Sequence, residues 1–148
     1  MPGMRGLVQR VSRAKVTVDD EIVGKIGAGS LVLVGVTHDD TPTQAAKLAD
    51  KIWNLRIFDD ADGVMNLSLA DTSRQVLVVS QFTLYGDTRK GRRPGYTDAA
   101  RPEQAEPLVA AVIAELRALG ASVATGKFRA EMAVELVNDG PITLTIEV

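Results

Sequence analysis

The spacing of apolar residues predicts β-strands in the first quarter of the chain. Towards the end of residues 7–18, apolar and polar side chains alternate, which is the period-two pattern of a strand with one face in water. Residues 19–20 are both aspartate and precede residues 21–24, so a hairpin is indicated there. Residues 31–36 form a continuous apolar run and predict a central, buried strand.

A first helix is predicted over residues 41–55, where apolar side chains recur at helical spacing. Thr41 can act as the N-cap, Pro42 suits the first helical position, and Gln44 completes a capping box. These three residues therefore mark where the helix begins.

A second helix is predicted over residues 102–119, and Gly120 is a natural C-terminal stop for it. Pro107 leaves two alternatives open. Either the helix proper begins near this proline, or the helix accepts a kink that costs about 3 kcal/mol.

The most unusual stretch is residues 76–84, Val-Leu-Val-Val-Ser-Gln-Phe-Thr-Leu. Its first half is apolar and β-branched, which predicts a strand buried on both faces. Ser80, Gln81 and Thr83 then place uncharged hydrogen-bonding groups at the strand end, and each would cost about 1–3 kcal/mol if left unpaired. This end is therefore either a candidate site or a polar cap that holds the neighbouring loops.

Two further strands are predicted over residues 132–137 and 142–148, separated by Asn138-Asp-Gly-Pro. A Gly-Pro step between paired strands removes a hydrogen-bond donor from the ladder, and the bond before Pro141 could be cis. Such a turn points carbonyl oxygens outward in a fixed direction, although a plain hairpin is the alternative. With many strands, two main helices, no repeat and no linker, we expect one α+β domain over residues 1–148, built on a curled or barrel-like, mainly antiparallel sheet.

Composition narrows the possible functions. The chain of 148 residues has no cysteine, which excludes disulfides, thiolate zinc sites and a cysteine nucleophile and fits a cytoplasmic protein. No apolar run approaches the roughly 18 residues of a membrane span. The net charge of −2 argues against bulk coating of nucleic acid, yet residues 86–101 carry five basic and two acidic side chains, a local charge of +3. This basic segment could meet a phosphate or simply be a solvated loop.

Few side chains could act as a general base. His38 is the sole histidine, so a histidine metal cluster is impossible, and a solvated loop is a simpler explanation of it than a catalytic triad. The carboxylates at residues 59–62 lack the spacing of a calcium loop and indicate a surface turn. An enzyme built on this chain would use the hydroxyl of Ser80 or Thr83 with little help, or a reactive group of its substrate.

Two motifs together give a family resemblance. Ser80-Gln-Phe-Thr-Leu and Asn138-Asp-Gly-Pro-Ile-Thr, in this order and in a chain of this length, resemble the D-aminoacyl-tRNA deacylase family. The similarity extends over essentially the whole chain. Two positions depart from the family pattern: Arg129 stands where the family usually has a small residue, often glycine, and Pro107 is atypical.

The resemblance implies a cytoplasmic homodimer that hydrolyses D-aminoacyl-tRNA and glycyl-tRNA, without cofactor or metal, by means of a water activated by the 2′-hydroxyl of the terminal ribose. Gly140 and a cis Pro141 of one subunit would enter the partner's pocket and reject L-amino acids. The residues implied at that pocket are Arg10 and Asn138 behind the turn, Ser80 and Phe82 on the floor, Gln81 and Thr83 as positioning rather than nucleophilic groups, and Phe128 and Met132 beside the terminal adenosine.

The basic segment completes this assignment. We expect phosphates of the tRNA to be contacted by Arg89, Lys90, Arg92 and Arg93, and we expect neither DNA nor a membrane as a partner. Two other hypotheses stay open at this point: a non-catalytic module that binds the end of an RNA, and a structural protein that dimerises through residues 138–143.

Overall fold

The computed structural model describes residues 3–148. Its strands and helices are, in chain order, β1 (Arg5–Val18), β2 (Glu21–Ile26), β3 (Gly29–Gly35), α1 (Pro42–Asn54), β4 (Phe58–Asp59), β5 (Met65–Leu67), β6 (Gln75–Ser80), a 3₁₀ helix (Phe82–Tyr85), α2 (Pro102–Leu119), β7 (Val123–Thr125) and β8 (Ala133–Glu147). Within these residues no helix has both the length and the apolar character needed to cross a bilayer.

A six-stranded sheet organises the fold, in the order β2-β1-β3-β6-β7, with β8 pairing β1. The long β1 strand pairs along one edge with β3 and then β2, and along the other edge with β8, always antiparallel. The β3–β6 and β6–β7 pairs are parallel. The sheet is therefore mixed, with antiparallel pairs in the majority.

The sheet curls until its two ends meet. Gly24 of β2 lies so close to β7 that a Cβ atom there would overlap the carbonyl oxygen of Thr125. The glycine lets the backbones of the two end strands approach each other, so the sheet nearly closes into a barrel. The predicted α+β architecture, a curled sheet with two main helices, is confirmed.

Side chains of β6 alternate between two cores. Val76 and Val78 pack towards α1 and α2, whereas Leu77 and Val79 point into the curl of the sheet. All four are buried, which confirms the prediction that this strand is covered on both faces. Ser80 is the next residue on the helix side.

The predicted helix ends are confirmed. Thr41 caps α1 with Pro42 in its first turn, and the capping box with Gln44 is formed. Gly120 ends α2 in the left-handed conformation, with φ of 109°. Helix α2 begins at Pro102 and continues through Pro107, so the alternative in which the helix proper begins near this proline is wrong.

The predicted strand over residues 76–84 is wrong beyond Ser80. The Gln81 N–H still donates to the Val34 carbonyl at 2.8 Å, but the Leu84 and Gly86 N–H groups then bond back to the carbonyls of Gln81 and Thr83 at 3.2 and 2.9 Å. These local bonds wind residues 82–85 into a 3₁₀ helix because, within residues 3–148, no strand pairs with the chain beyond Ser80.

The two strands predicted at the end of the chain are one. Strand β8 runs through the Gly-Pro step, and Val11 pairs with Asn138 while Gln9 pairs with Thr143. Four residues, 139–142, therefore stand opposite Arg10 alone and form a bulge rather than a hairpin. We call residues 138–143 the Gly-Pro bulge.

The cis bond expected before Pro141 is not found. No cis peptide bond occurs within residues 3–148, so the Gly140–Pro141 bond is trans. A bond before proline favours trans by about 0.5–1 kcal/mol. Gly140 and Pro141 are both exposed, so packing around the proline does not offset that preference.

Candidate active site at the end of β6

The parallel strands β3 and β6 end side by side, and this edge carries the polar group of residues predicted from the sequence. Ser80 is the last paired residue of β6 and faces Val34. Beyond it the chain turns into the 3₁₀ helix, which leaves Ser80 and Gln81 half-buried and Phe82 and Thr83 exposed. The local sequence thus ends a buried strand in a short, accessible polar segment.

Gln81 and Thr83 act as a pair. The side-chain amide Nε2 of Gln81 lies in hydrogen-bond contact with Oγ1 of Thr83, so the amide donates and the hydroxyl accepts. The hydroxyl proton of Thr83 is then free to point towards a ligand. Among residues 3–148 no carboxylate or imidazole hydrogen-bonds to Thr83 or Ser80, so neither hydroxyl has the adjacent base that activates a nucleophile.

Ser80 and Phe128 come together in a cavity of about 150 Å³ between β6, β7 and α2. The cavity is mostly apolar, with Val109 and Ile113 on the α2 side and Glu106 as its one ionisable lining group. Its walls belong to the rigid sheet and helix. Such an apolar recess beside a few polar groups is the usual form of a small ligand site.

Met132 lies apart from this cavity. Its sulfur sits 2.7 Å from where a Cβ atom on Gly126 would be, and it packs against the core inside the curl, whereas Phe128 packs against the helix-side core. Gly126 therefore allows the two side chains to cover opposite faces of the same sheet end.

Arg10 is held against the Gly-Pro bulge. It is only 9% exposed, and its Nε donates to the Asp139 carbonyl at 3.1 Å while Nη1 donates to the Ile57 carbonyl at 2.7 Å. The carboxylates of Asp59 and Asp139 lie 3.6 and 3.5 Å from the guanidinium. The charge of this buried arginine is thus shared between two backbone and two side-chain acceptors.

Asn138 holds the bulge from within. Its Nδ2 donates to the carbonyls of Arg10 at 3.0 Å and Ile142 at 2.9 Å, and its Oδ1 accepts from Thr143 at 3.1 Å. Gly140 adopts φ of 113°, and a Cβ atom there would overlap Nη2 of Arg10. The bulge therefore requires glycine at its tip for both conformation and space.

Within the chain the Gly-Pro bulge and the end of β6 are far apart. Strands β1 and β3 separate β8 from β6, which corresponds to about 14 Å across the sheet. The bulge also stands level with Val76, because Arg10 pairs with Ser30 and Ser30 with Val76, so Ser80 lies about 13 Å further along the strand. The structure does not bring the two sequence motifs together in one chain.

The basic loop, residues 85–96, is closed at its neck. Asp87 and Gly95 exchange two backbone hydrogen bonds of 2.7 and 2.9 Å. The Nε and Nη2 groups of Arg89 donate to the Asp87 carboxylate at 2.9 and 2.8 Å. These hydrogen bonds lower the pKa of Asp87 to about 2. Of the four basic residues predicted to meet phosphate, Arg89 is therefore already committed to a carboxylate.

The three basic residues at the loop tip are different. Lys90, Arg92 and Arg93 are exposed, and in the part of the chain that the structure describes none of them forms a salt bridge. They are available to an anionic partner.

Two features of this edge were not predicted. Tyr96 contacts Phe82 edge-to-face, and Asp40 is buried, where its carboxylate accepts from the N–H groups of Met4 and Thr37, both at 2.8 Å. Burial raises the pKa of Asp40. An aromatic residue next to Gly95 is the one sequence signal that could have pointed to Tyr96.

Two side chains considered from the sequence have structural roles. His38 is exposed and contacts the Thr97 carbonyl, which agrees with a loop histidine. Asp60 accepts from the N–H groups of Asp62 and Val64, which confirms the surface turn. The bond from Val64 is the main cause that lowers the pKa of Asp60.

Comparisons with known proteins agree over nearly the full chain. Residues 7–147 match the family model described as D-Tyr-tRNA(Tyr) deacylase. A D-aminoacyl-tRNA deacylase from Symbiobacterium thermophilum is 56% identical over 144 residues, which cover 97% of this chain and 95% of the relative.

Solved structures give the same fold. The structure named c-Myc DNA Unwinding Element Binding Protein is 39% identical with a TM-score of 0.92, and the match covers 97% of this chain and 98% of that one. A probable eukaryotic D-amino acid tRNA deacylase, 17% identical and covered completely in both chains, has a TM-score of 0.85 and shows the shared fold.

Proposed function

Because the chain belongs to the D-Tyr-tRNA(Tyr) deacylase family, we propose that it is an ester hydrolase that cleaves D-aminoacyl-tRNA into free D-amino acid and tRNA. The observation that carries the proposal is the polar segment Ser80–Thr83 at the end of a buried strand, beside an apolar cavity lined by Phe128. This arrangement places a small apolar recess next to hydrogen-bonding groups.

The chemistry relies on the substrate for its base. Gln81 fixes the Thr83 hydroxyl, which then positions the ester or the water rather than attacking it. The 2′-hydroxyl of the terminal ribose activates the water, the water adds to the ester carbonyl, and the bond from the carbonyl carbon to the ribose oxygen breaks with the proton passing to that oxygen. The lack of a base beside Ser80 and Thr83 in the described residues supports this route.

Selection against L-amino acids is assigned to the Gly-Pro bulge of a second subunit. In one chain the exposed bulge lies far from its own Ser80–Thr83 segment, so a homodimer is needed to bring the motifs together. Backbone carbonyls of Gly140 and its neighbours would bind the amino group of the substrate. An L side chain would then clash, which is specificity by exclusion rather than by attraction.

We expect glycyl-tRNA to be a substrate as well, since the Gly-Pro bulge excludes only L side chains. Glycine has no side chain to clash with the Gly140–Pro141 carbonyls, so a site that discriminates through backbone groups accepts it. Phosphates of either tRNA would be bound by the exposed Lys90, Arg92 and Arg93.

The test is hydrolysis of D-Tyr-tRNA and L-Tyr-tRNA by the purified protein. We expect release of D-tyrosine and sparing of the L ester. Equal cleavage of both would refute the chiral filter but not the esterase. Tight binding without turnover would instead favour the second candidate, a non-catalytic module for RNA ends, which the three unpaired cations of the basic loop also suit.

A substrate that ends in 2′-deoxyadenosine tests whether the ribose 2′-hydroxyl activates the water. We expect it to bind but to be cleaved far more slowly than the ribose substrate. Thr83→Ala should keep most of its activity on the ribose substrate. Complete loss of activity in a well-folded Thr83→Ala protein would favour the Thr83 hydroxyl as a catalyst and contradict the proposed route.

A further inference from the structure

Two large aromatic side chains remain in water beside the candidate site. Phe82 is 54% exposed and Tyr96 is 42% exposed. Their ring centroids are 5.2 Å apart at an angle of 70°, an edge-to-face pair. This aromatic surface gives no burial energy to the folded chain and is available for a ligand to bury, so the exposed pair points to a ligand with a flat apolar face.

The Tyr96 ring is held in place by backbone. A Cβ atom on Gly86 would lie 3.2 Å from its Cε1 atom, so the ring rests directly on that glycine. The preceding residue, Gly95, is fixed by its two hydrogen bonds to Asp87. The edge of Phe82, itself in the 3₁₀ helix, meets the ring from another side. The pair is therefore ordered before any ligand binds, which limits the entropy lost on binding.

The charge around the pair indicates what kind of ligand it meets. Lys90, Arg92 and Arg93 belong to the same loop as Tyr96 and carry no salt bridge within residues 3–148. Arg89 is neutralised by Asp87 and so helps to shape the loop. An ordered aromatic surface next to unpaired cations is the arrangement by which proteins bind unpaired nucleotides, with bases stacked on rings and phosphates on cations.

We propose that Tyr96, supported by Phe82, stacks an unpaired base of the tRNA 3′ end, namely the nucleotide before the terminal adenosine. Lys90, Arg92 and Arg93 bind the phosphates of this strand. Phe82 lies two positions from Ser80 in the chain, so the aromatic pair belongs to the same end of β6 as the cavity that Ser80 lines. This inference rests on the proposed function and assigns a second nucleotide to the same site.

The experiment compares two substrates and two variants. Tyr96→Leu keeps an apolar side chain but removes the ring, and Tyr96→Phe keeps the ring as the matched control. Steady-state hydrolysis is measured with D-Tyr-tRNA and with D-Tyr-adenosine, which contains only the terminal nucleoside.

For Tyr96→Leu we expect KM for D-Tyr-tRNA to rise about 5- to 150-fold, the range for one stacked base, with kcat unchanged. Hydrolysis of D-Tyr-adenosine should stay within about twofold of the unmodified protein, because that substrate lacks the stacked base. Tyr96→Phe should match the unmodified protein on both substrates. An unchanged KM for D-Tyr-tRNA in Tyr96→Leu, or an equal loss on both substrates, would overturn the inference.

A binding measurement separates this inference from the proposed function. An RNA oligonucleotide that carries 2-aminopurine just before its terminal adenosine should lose fluorescence on the protein, and Tyr96→Leu should abolish that quenching. If the protein bound and quenched the oligonucleotide but hydrolysed neither ester, the proposed function would fail while the stacking site stood. Dissociation of Tyr96→Leu into a smaller species in sedimentation would instead place the ring in a subunit contact and refute the inference.

Discussion

The Gly-Pro bulge and the basic loop are both irregular and exposed, yet they are built in opposite ways. Asn138 and Arg10 hydrogen-bond the bulge from inside and from below, so that its carbonyls have one direction. Within residues 3–148, the basic loop is held by hydrogen bonds at its neck, between Asp87 and both Gly95 and Arg89, and residues 90–93 form no hydrogen bond to the body of the protein. The Gly-Pro bulge, which is rigid, is proposed to select D- over L-amino acids, and the basic loop, which is adaptable, is proposed to bind phosphates.

The difference follows from what each task requires. Distinguishing a D from an L side chain depends on fixed positions of a few atoms, since a shift of about 1 Å can alter a rate 100-fold. Attraction between a cation and a phosphate falls off slowly with distance and tolerates movement. A chain that performs both tasks needs hydrogen bonds in the first segment and can omit them in the second.

The largest expected effect comes from releasing the bulge. Arg10→Met keeps an unbranched, buried side chain but removes the guanidinium, which leaves the carbonyls of Ile57 and Asp139 without their donor. We expect kcat/KM for D-Tyr-tRNA to fall about 100-fold and the preference for D over L to narrow. Arg13→Ala, an exposed arginine on the same strand, is the matched control and should behave normally. An Arg10→Met protein with full D selectivity would show that the bulge needs no brace.

Removing charge from the adaptable loop should have a smaller effect. In Arg92→Ala/Arg93→Ala we expect tRNA binding to depend less steeply on salt. The slope of log K against log salt should fall in magnitude by about 2. KM should rise for every tRNA tested, while the D/L ratio stays unchanged. Lys47→Ala, an exposed cation on α1, controls for net charge. A changed D/L ratio in the double variant would mean that the loop also shapes the chiral pocket.

Loosening the neck of the loop tests its limited rigidity. Asp87→Asn removes the carboxylate that holds the Arg89 fork and leaves the two backbone bonds to Gly95 in place. Arg89 is then free to bind phosphate, so we expect tRNA affinity to change by less than about threefold and to become more sensitive to salt. Filter binding over a salt series measures both. A large loss of affinity would show that the tip must be ordered after all.

The sequence was sufficient where local patterns decide structure. Capping by Thr41, the stop at Gly120 and the two-sided burial of residues 76–79 are visible from residue types. The sequence was misleading where pairing in space decides the structure. Residues 81–84 contain no turn residue and were expected to extend the strand, but among residues 3–148 no strand pairs with them and residues 82–85 wind into a 3₁₀ helix.

Pairing across the sheet explains the other differences. The Gly-Pro step looked like the end of a strand, and only the match of four residues against Arg10 shows that β8 continues past it. The contact of Tyr96 with Phe82 joins residues that no periodic pattern links. The roles proposed for Ser80, Gln81 and Thr83 came from the family motif, and the structure adds the Gln81–Thr83 contact, which residue types alone do not specify.

The smallest expected effect is at Arg129, which lies outside the Gly-Pro bulge and the basic loop. Replacing it tests whether the strain of its backbone affects stability without affecting activity. Arg129 adopts φ of 64°, the left-handed region in which glycine is favoured, which gives a physical reason for the small residue usual at this position. Arg129→Gly should raise the free energy of unfolding by about 0.5–1 kcal/mol, since the relief of strain exceeds the extra entropy of glycine in the unfolded chain. Thermal unfolding should show a shift of about 2 °C, with kcat/KM for D-Tyr-tRNA unchanged. Arg129→Ala retains the strain and should not gain stability, and an equal gain in both variants would assign the effect to the arginine side chain instead of its backbone.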